Sequence, residues 1–261
     1  MEQMRFGQAI GKALADAMEA DPTVILLGED IGEAGGPFGV TRGLYQRFGA
    51  ARVFDFPISE AALVGTAAGA ALSGYRPVAE IMFMDFCTLA MDAIVNQAAK
   101  AHFMFGGQTA VPLVVRAPHG GGVNAGAQHS QCLEAWFTHV PGLTVVCPAT
   151  PADAYGLLRT AIASPNPVIF IENKALYARK GDMPDAPAAI PFGQSRIARA
   201  GRDVTVVTYG AALYHAEAAA QQAAARGIEV EIIDLRSLHT GLALPRTLAV
   251  RVPSAGSCSP Q

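Results

Sequence analysis

The chain has 261 residues, of which 51% are hydrophobic and only 16% are charged. This length accommodates one large α/β domain and part of a second, and so little charge predicts that partner chains cover much of the surface. The net charge of −3 argues against nucleic-acid binding, and the apolar runs are too short for a membrane span of ~20 residues.

The sequence shows neither a targeting segment nor a disulfide framework. Residues 1–5 lack the basic and apolar regions of a signal peptide. The cysteines have neither CxxC spacing nor a histidine ligand pattern, and we expect reduced thiols, most of them buried; they are Cys87, Cys132, Cys147 and Cys258. These features predict a cytoplasmic protein without a membrane or nucleic-acid partner.

The predicted elements alternate between helix and strand, which is typical of a parallel sheet covered by helices. In chain order we predict a helix, two strands, a helix of small residues, a strand, a long helix, a strand, a glycine-dense loop, a strand, a helix and a strand, over residues 6–21, 24–28, 52–56, 61–72, 77–82, 86–105, 112–116, 120–132, 143–147, 152–163 and 167–172. Asp85 is a candidate cap of the long helix. A strand, a helix and a strand of a second unit follow, over residues 204–209, 211–226 and 228–234.

The domain boundaries follow from composition. The first α/β domain is predicted over residues 1–177, and residues 178–195 form a proline-rich linker. A second, partial α/β domain covers residues 196–238, and a tail of unusual composition covers residues 239–261.

A single carboxylate, Glu60, stands out where the predicted strand 52–56 turns into the small-residue helix. Ser59 is a favourable N-cap residue, which places Glu60 in the first helical turn. An acid at that position can simply complement the helix dipole. Gly65 and Gly69, however, leave the helix with little bulk. We therefore expect the helix to pack against another backbone, with Glu60 buried at its mouth.

The second notable feature is the glycine-dense loop over residues 120–132, which follows a predicted strand. Open α/β sheets place ligands at such loops, and glycine lets the backbone approach a ligand closely. The loop contains no dinucleotide, P-loop or nucleophile-elbow motif. His129 closes the loop between Gln128 and Gln131, where a histidine is either structural or an acid/base candidate.

Several stretches resemble the beta subunit of the thiamine-diphosphate-dependent decarboxylase component of 2-oxo acid dehydrogenase complexes. The pyruvate, branched-chain and acetoin enzymes share this subunit. The similar stretches keep the order and spacing of the family, from about Arg5 to Leu238; they are residues 27–30, 57–60, 76–80, 127–131, 139–143 and 234–238. The resemblance implies a parallel-sheet, transketolase-like pyrimidine-binding domain followed by an incomplete α/β transketolase C-terminal domain.

The resemblance also implies roles for individual residues. In the family, the glutamate that matches Glu60 hydrogen-bonds the aminopyrimidine of the cofactor, and the histidine that matches His129 lies near the reacting centre. The family's aromatic residue that matches Phe86 packs on the pyrimidine ring. The family residues that match Glu29 and Ile58 lie in the pyrimidine pocket. For Phe86, a core aromatic that opens the long helix is an equally good interpretation.

The absence of one motif implies a partner. The family holds the diphosphate through Mg²⁺ with a Gly-Asp-Gly motif, whereas the only Gly-Asp here is Gly181-Asp182, followed by Met183. Since hard oxygen ligands are missing at usable spacing, we expect the alpha subunit of a heterotetramer to hold the diphosphate and Mg²⁺. The resemblance also implies a lipoyl acyltransferase core as partner and a 2-oxo acid as substrate.

A potassium site is a further implication, because some relatives hold this ion through backbone carbonyls. The matching positions are Leu113, Ala161, Ser164 and Asn166. The family often has an acid where Ser164 stands, so the match is incomplete.

The resemblance stops after Leu238. Residues 239–261 contain no acid, and their bias toward Ala, Arg, Pro, Ser and Gly resembles GC-rich DNA read in a wrong frame. We therefore expect a frameshift or gene break near residue 239. It would remove most of the second domain, which in relatives helps to dimerise beta subunits and to dock the acyltransferase core, and it would leave a sheet edge uncovered.

Two other interpretations stay open. A transketolase-like or deoxyxylulose-phosphate-synthase-like enzyme split over several chains shares the glutamate, although residues 128–131 favour the first interpretation. An inactive subunit that only supports assembly is the other. The sequence does not select the 2-oxo acid, and Leu89 stands where some pyruvate-type relatives have glutamine. Pyruvate is the leading candidate because it is the commonest substrate of the family.

Overall fold

The centre of the fold is a seven-stranded sheet that is parallel except at one edge. The computed structural model describes residues 2–239. Within this range the strands are β1 (Glu2–Arg5), β2 (Val24–Gly28), β3 (Val53–Asp55), β4 (Arg76–Glu80), β5 (Val114–His119), β6 (Thr144–Val146), β7 (Val168–Asn173), β8 (Lys180–Met183), β9 (Arg196–Arg199), β10 (Val204–Thr208), β11 (Val230–Asp234) and β12 (Ser237–His239). The large sheet has the order β12-β6-β7-β5-β4-β2-β3.

Helices cover both faces of this sheet. The α-helices of the described range are α1 (Phe6–Ala20), α2 (Leu44–Phe48), α3 (Glu60–Leu72), α4 (Ala99–Met104), α5 (Glu134–Thr138), α6 (Pro151–Ala163) and α7 (Ala212–Ala224). Helices α1 and α6 pack on each other and contribute to one core cluster, and α3 contributes to a second cluster on the other face. Every residue of β2 and β5 is buried, as expected for parallel strands enclosed on both sides.

The predicted long helix over residues 86–105 has a more varied geometry than its pattern indicates. It consists of a 3₁₀ segment (Met84–Ala90), a π segment (Asp92–Ala98) and α4. Asp85, which the sequence predicts as its cap, lies in the first turn, where its carboxylate accepts hydrogen bonds from the backbone and side chain of Gln131. Asp85 therefore bonds a distant segment of the chain, and its side chain does not cap the helix.

The predicted strand over residues 112–116 begins and ends later in the structure, at Val114 and His119. Pro112 lacks the N–H that a ladder requires, and the backbone N–H of Leu113 donates to the carbonyl of Val111 in a turn. The shift places His119 at the carboxyl end of a central strand.

A smaller unit follows the first domain. Its three-stranded sheet has the order β10-β11-β9, and α7 packs on it. Part of the predicted linker 178–195 is strand β8, which pairs with β1. Strand β12 returns to the large sheet and pairs antiparallel with β6. The predicted tail lies outside the described residues, apart from His239.

Candidate functional site

The residues that the sequence singles out lie along one edge of the large sheet. Glu29 follows β2, and Glu60 follows β3 at the start of α3. Phe86 follows β4, and His129 follows β5. These strands are neighbours in the sheet. Because ligands of open α/β sheets bind outside the carboxyl ends of the strands, this edge is the candidate site.

Two carboxylates meet at the β2–β3 end of this edge. Glu29 and Glu60 are only 3% and 4% exposed, which confirms the expectation that Glu60 is not a surface acid. Burial raises the pKa of Glu29, the Glu60 carboxylate raises it further, and the backbone N–H of Ser59 opposes this shift. The Oε1 atom of Glu29 has no hydrogen-bond partner in the described chain. A protonated carboxyl in such a position can donate to a ligand nitrogen.

The start of α3 differs in detail from the sequence prediction. Ser59 occupies the N-cap position, but its side chain makes no capping hydrogen bond. Gly65 and Gly69 lie on an exposed face of the helix, and a Cβ at either position would meet nothing within 4 Å. The expected close packing of this face is therefore absent within residues 2–239, and the face is open for another chain.

His129 lies in an aromatic cluster at the β4–β5 part of the edge. The rings of Phe83 and Phe86 pack edge-on against its imidazole, with centroid distances of 4.7 and 5.2 Å. The Nζ atom of Lys174 donates to the backbone carbonyl of His129 and lies 4.9 Å from the Phe83 ring centroid. Burial lowers the pKa of Lys174, and Asp85 and Cys132 oppose this shift. The histidine backbone is thus held by a buried cation.

The glycine loop that carries His129 is closed at its base. The backbone N–H of Gly120 donates to the carbonyl of Gln131 at 3.2 Å, and Asp85 accepts from the side chain of Gln131 at 2.8 Å. Gly120 has a φ of +85°, and a Cβ there would come within 2.9 Å of the Asn173 side chain. Only glycine fits this position without displacing its neighbour.

Phe86 and Ile58 differ in exposure. Phe86 is partly buried and packs against the core on the α3 face. This position is compatible with a core aromatic and with a contact to the pyrimidine ring. Ile58 is 81% exposed. Leu89, in the 3₁₀ segment Met84–Ala90, is 60% exposed. Exposed apolar side chains of this size are suited to contact with a ligand or another chain.

Sequence reasoning missed two contributors to this edge, Asp85 and Lys174. Asp85 was interpreted as a helix cap, and its Oδ2 atom is buried without a hydrogen-bond partner in the described chain. Lys174 follows β7 directly. The rule that side chains after parallel strands meet at one edge is a signal that could have identified Lys174.

The prediction that most cysteines are buried is confirmed for the three that lie within residues 2–239. Cys87 and Cys147 are buried, as expected, but Cys132 is exposed. His119 lies close to sulfur: its Nε2 is 3.9 Å from Cys147 Sγ. The sequence separations of these residues from His119 are long, so no short motif could reveal the contact.

The four carbonyls of the predicted potassium site already accept hydrogen bonds from the protein. Those of Leu113, Ala161 and Asn166 accept from Val168 N, Ser164 N and Ser164 Oγ. The carbonyl of Ser164 accepts from the Arg76 guanidinium at 3.2 Å. A cationic side chain therefore already supplies positive charge at this point, and the potassium site stays a prediction to which the geometry adds no support.

Among the described residues, no helix combines the length and the apolarity needed to cross a membrane.

Comparison with known families identifies both units of the fold. A model of the transketolase pyrimidine-binding domain matches residues 2–180, and one of the transketolase C-terminal domain matches residues 193–240.

Curated relatives are similar over most of this chain. The acetoin:2,6-dichlorophenolindophenol oxidoreductase subunit beta of Cupriavidus necator is 52% identical over 240 residues, which are 88% of this chain and 71% of that protein. The pyruvate dehydrogenase E1 component subunit beta of Rhizobium meliloti is 46% identical, over 92% of this chain and 52% of that protein. The 2-oxoisovalerate dehydrogenase subunit beta of Bacillus subtilis is 42% identical, over 92% and 73%. The chain thus spans between about half and three quarters of these relatives.

Solved structures agree with this fold. A split-gene transketolase in the form of an inactive beta4 tetramer superposes with a TM-score of 0.74 at 25% identity, over 90% of this chain and 72% of that chain. The transketolase of Leishmania mexicana superposes with a TM-score of 0.70 at 19% identity, over 91% and 35%, which supports the fold alone.

Proposed function

Because the chain belongs to the family of beta subunits of thiamine-diphosphate-dependent 2-oxo acid dehydrogenases, we propose that it supplies the pyrimidine half of such an active site. The enzyme would decarboxylate a 2-oxo acid oxidatively, with pyruvate as the leading substrate, and pass the acyl group to a lipoyl acyltransferase core. The observation that carries this proposal is the buried acid pair of Glu29 and Glu60 at the carboxyl edge of the sheet.

Glu60 is proposed to hold a proton at a ring nitrogen of the cofactor's pyrimidine. Its burial at the start of α3 removes the water that would compete for this hydrogen bond. The Glu60 carboxylate contributes to the raised pKa of Glu29, so Glu29 is suited to carry a proton beside Glu60. When bound, thiamine diphosphate supplies the electron sink that decarboxylation needs.

Phe86, Ile58 and His129 complete the proposed pocket. The partly buried Phe86 ring and the exposed Ile58 side chain offer apolar surface to a planar ring. His129 stands in edge-on contact with Phe86. From there its imidazole can move a proton at the reacting centre, or hydrogen-bond the substrate carboxylate or carbonyl.

The diphosphate and Mg²⁺ are proposed to be held by an alpha subunit. Gly181-Asp182, the one Gly-Asp pair of the sequence, lies in strand β8, where Asp182 accepts a hydrogen bond from Gln3. It therefore offers no loop to a metal-bound diphosphate. The open glycine face of α3 and the exposed Ile58 give an alpha chain a surface next to Glu60.

Acetoin is a second candidate substrate. The observation that favours it is the 52% identity to a beta subunit that is named as an acetoin oxidoreductase. Since much of the substrate pocket would come from the alpha chain, both substrates need to be assayed with the assembled protein.

The proposal is tested by co-expression with an alpha subunit of the same family. The complex would be given thiamine diphosphate, Mg²⁺ and an artificial electron acceptor, with pyruvate and acetoin in parallel. We expect turnover with one of them, and a loss of at least a hundredfold in kcat on Glu60→Gln. The matched control is Glu19→Gln, because the side chain of Glu19 is 65% exposed.

Other outcomes separate the remaining interpretations. A stable alpha–beta complex without turnover on either substrate would indicate an assembly-only subunit. Turnover of sugar phosphates in place of both substrates would indicate the transketolase-like alternative.

A further inference from the structure

A cluster of metal-ligating side chains lies at the base of the glycine loop, outside the proposed pyrimidine pocket. His119 is the last residue of β5, and Glu134 is the first residue of α5. Cys132 precedes Glu134 by two positions. One ligating atom from each of the three residues lies within 4.8 Å of the others.

The two buried members face each other with atoms that lack other partners. His119 and Glu134 are 3% and 9% exposed, and neither Nδ1 of His119 nor Oε2 of Glu134 has a hydrogen-bond partner within the described chain. These two atoms are 3.4 Å apart. With zinc–ligand bonds of about 2.0–2.3 Å, ligand atoms of a tetrahedral site lie roughly 3.3–3.6 Å apart. The pair already has the separation that such a site requires.

The opposite side of each ligand is held in place. The hydroxyl of Tyr209 donates to Oε1 of Glu134 at 3.1 Å, so Oε2 remains available. Nε2 of His119 faces Cys147 Sγ at 3.9 Å and the Asn173 amide at 3.4 Å. Outer contacts of this kind fix the ring of a metal-binding histidine.

We propose that His119, Cys132 and Glu134 bind a divalent cation of the zinc class. Imidazole, thiolate and carboxylate are the ligands that zinc uses in proteins, and three protein ligands leave a fourth position for water. Binding releases the imidazole proton and the thiol proton of Cys132 to solvent. The exposed Cys132 gives the ion a route of entry.

The ion would connect the two ends of the glycine loop. His119 immediately precedes the loop and Cys132 ends it, and His129 lies between them. The hydrogen bond from Gly120 to Gln131 already closes the loop at this point. A bound ion would therefore restrict the backbone that carries His129, without contacting the acid pair at Glu60.

Cobalt substitution tests this site. Metal-free full-length chain would be titrated with Co²⁺. We expect tetrahedral d–d bands and a thiolate-to-cobalt charge-transfer band that Zn²⁺ abolishes. Cys132→Ser should remove the charge-transfer band, and His119→Asn and Glu134→Gln should weaken Co²⁺ binding at least tenfold. Circular dichroism of each variant confirms the fold, and the exposed position of Cys132 makes its serine variant the decisive one.

The matched controls are Cys87→Ser and Cys258→Ser, which should leave the band unchanged. Absence of a charge-transfer band in the wild-type chain would overturn the proposal. So would a band that persists in Cys132→Ser. Both outcomes are independent of thiamine diphosphate and of catalytic activity.

Discussion

At the scale of single residues, the candidate site depends on groups that hold the catalytic candidates in place. The carboxylate of Glu29 and the burial of Glu60 control one end of the site. At the other end, Lys174 holds the backbone of His129 and Asp85 holds Gln131. Lys174 bonds the main-chain carbonyl of His129 and not its imidazole, so we regard Lys174 as a positioning residue.

Replacing Lys174 tests this role. Lys174→Met keeps a long unbranched side chain but removes the charged hydrogen bond to the carbonyl of His129 and the cation beside the Phe83 ring. Hydrogen bonds to charged groups contribute about 1.5–3 kcal/mol. We therefore expect kcat of the alpha–beta complex to fall about tenfold or more, with little change in KM. The exposed Lys180 provides the control, Lys180→Met. Equal activity of the two variants would contradict the role.

At the scale of elements, a buried ion triad joins the central strands. The guanidinium of Arg116 on β5 donates to both oxygens of Glu172 on β7, at 2.6 and 2.7 Å, and to Glu80 on β4. Burial raises the pKa of Glu80, and Arg116 opposes this. Tyr177 donates a further hydrogen bond to Glu172. Because all members are enclosed, each carboxylate depends on the shared cation.

Removing that cation should destabilise the sheet. Arg116→Met leaves two buried carboxylates without compensation, which typically costs about 3–5 kcal/mol. Urea unfolding followed by circular dichroism measures the loss. Arg47→Met is the matched control, because Arg47 and its partner Glu19 are exposed and such pairs contribute little. A similar free energy of unfolding for both variants would show that the triad is not a determinant of stability.

The open face of α3 is the proposed contact surface for the alpha subunit, and a substitution on it tests this. Gly65→Leu should leave the fold of the isolated chain intact, since no atom lies within 4 Å of a Cβ at this position. It should weaken alpha-subunit binding at least tenfold, because the added side chain prevents close packing on this face. Ala219→Leu on the exposed face of α7 is the control. Surface plasmon resonance against immobilised alpha subunit measures both, and unchanged affinity would exclude this face as the contact.

At the scale of the whole molecule, an ion cluster connects the two units. Arg196 on β9 contacts Asp153 on α6 at 3.7 Å and Asp234 on β11 at 3.3 Å. Arg236 contacts Asp153 at 2.9 Å. Strand β12 adds a direct link, because it joins the large sheet beside β6. Charge and backbone pairing together fix the second unit against the first.

This cluster predicts a specific pH dependence. Burial raises the pKa of Asp234 to about 6, the charge of Asp153 adds to the shift, and Arg196 opposes it. With a folded pKa above the unfolded value, the contribution of Asp234 to stability falls as pH rises from about 4 to about 6. Asp234→Asn lacks this titration. Its free energy of unfolding relative to wild type should therefore increase by about 1–3 kcal/mol between pH 4 and pH 7.

Thermal unfolding of wild type and Asp234→Asn across this pH range measures the difference between their free energies of unfolding. If the advantage of Asp234→Asn over wild type shrinks as pH rises, Arg196 and Arg236 dominate and lower the pKa of Asp234.

The sequence predicted the order of the main elements and the burial of Glu60, because both follow from local patterns. It did not predict the shorter elements β1, α2, α5, β8, β9 and β12. The bounds of β2 match the predicted strand at both ends, since the run 24–28 is continuously apolar and flanked by turn residues. The family resemblance, confirmed by the comparisons, supplied the candidate residues at the sheet edge. Their assigned roles stay predictions.

The features that the sequence did not predict depend on local backbone geometry or on contacts between distant segments. The π segment Asp92–Ala98 has the same apolar spacing as an α-helix, so the pattern could not reveal it. The cap predicted at Asp85 failed because Gln131 lies beside it only in the folded chain. The cluster of His119, Cys132 and Glu134 forms for the same reason.

The proposed function requires that this chain hold only the pyrimidine half of a thiamine diphosphate site. Isothermal titration calorimetry with thiamine diphosphate and Mg²⁺ measures this on the chain alone, the alpha subunit alone and the complex. We expect tight binding to the complex and at least a hundredfold weaker binding to either subunit alone. Equally tight binding to the isolated chain would show that the site is complete without the alpha subunit.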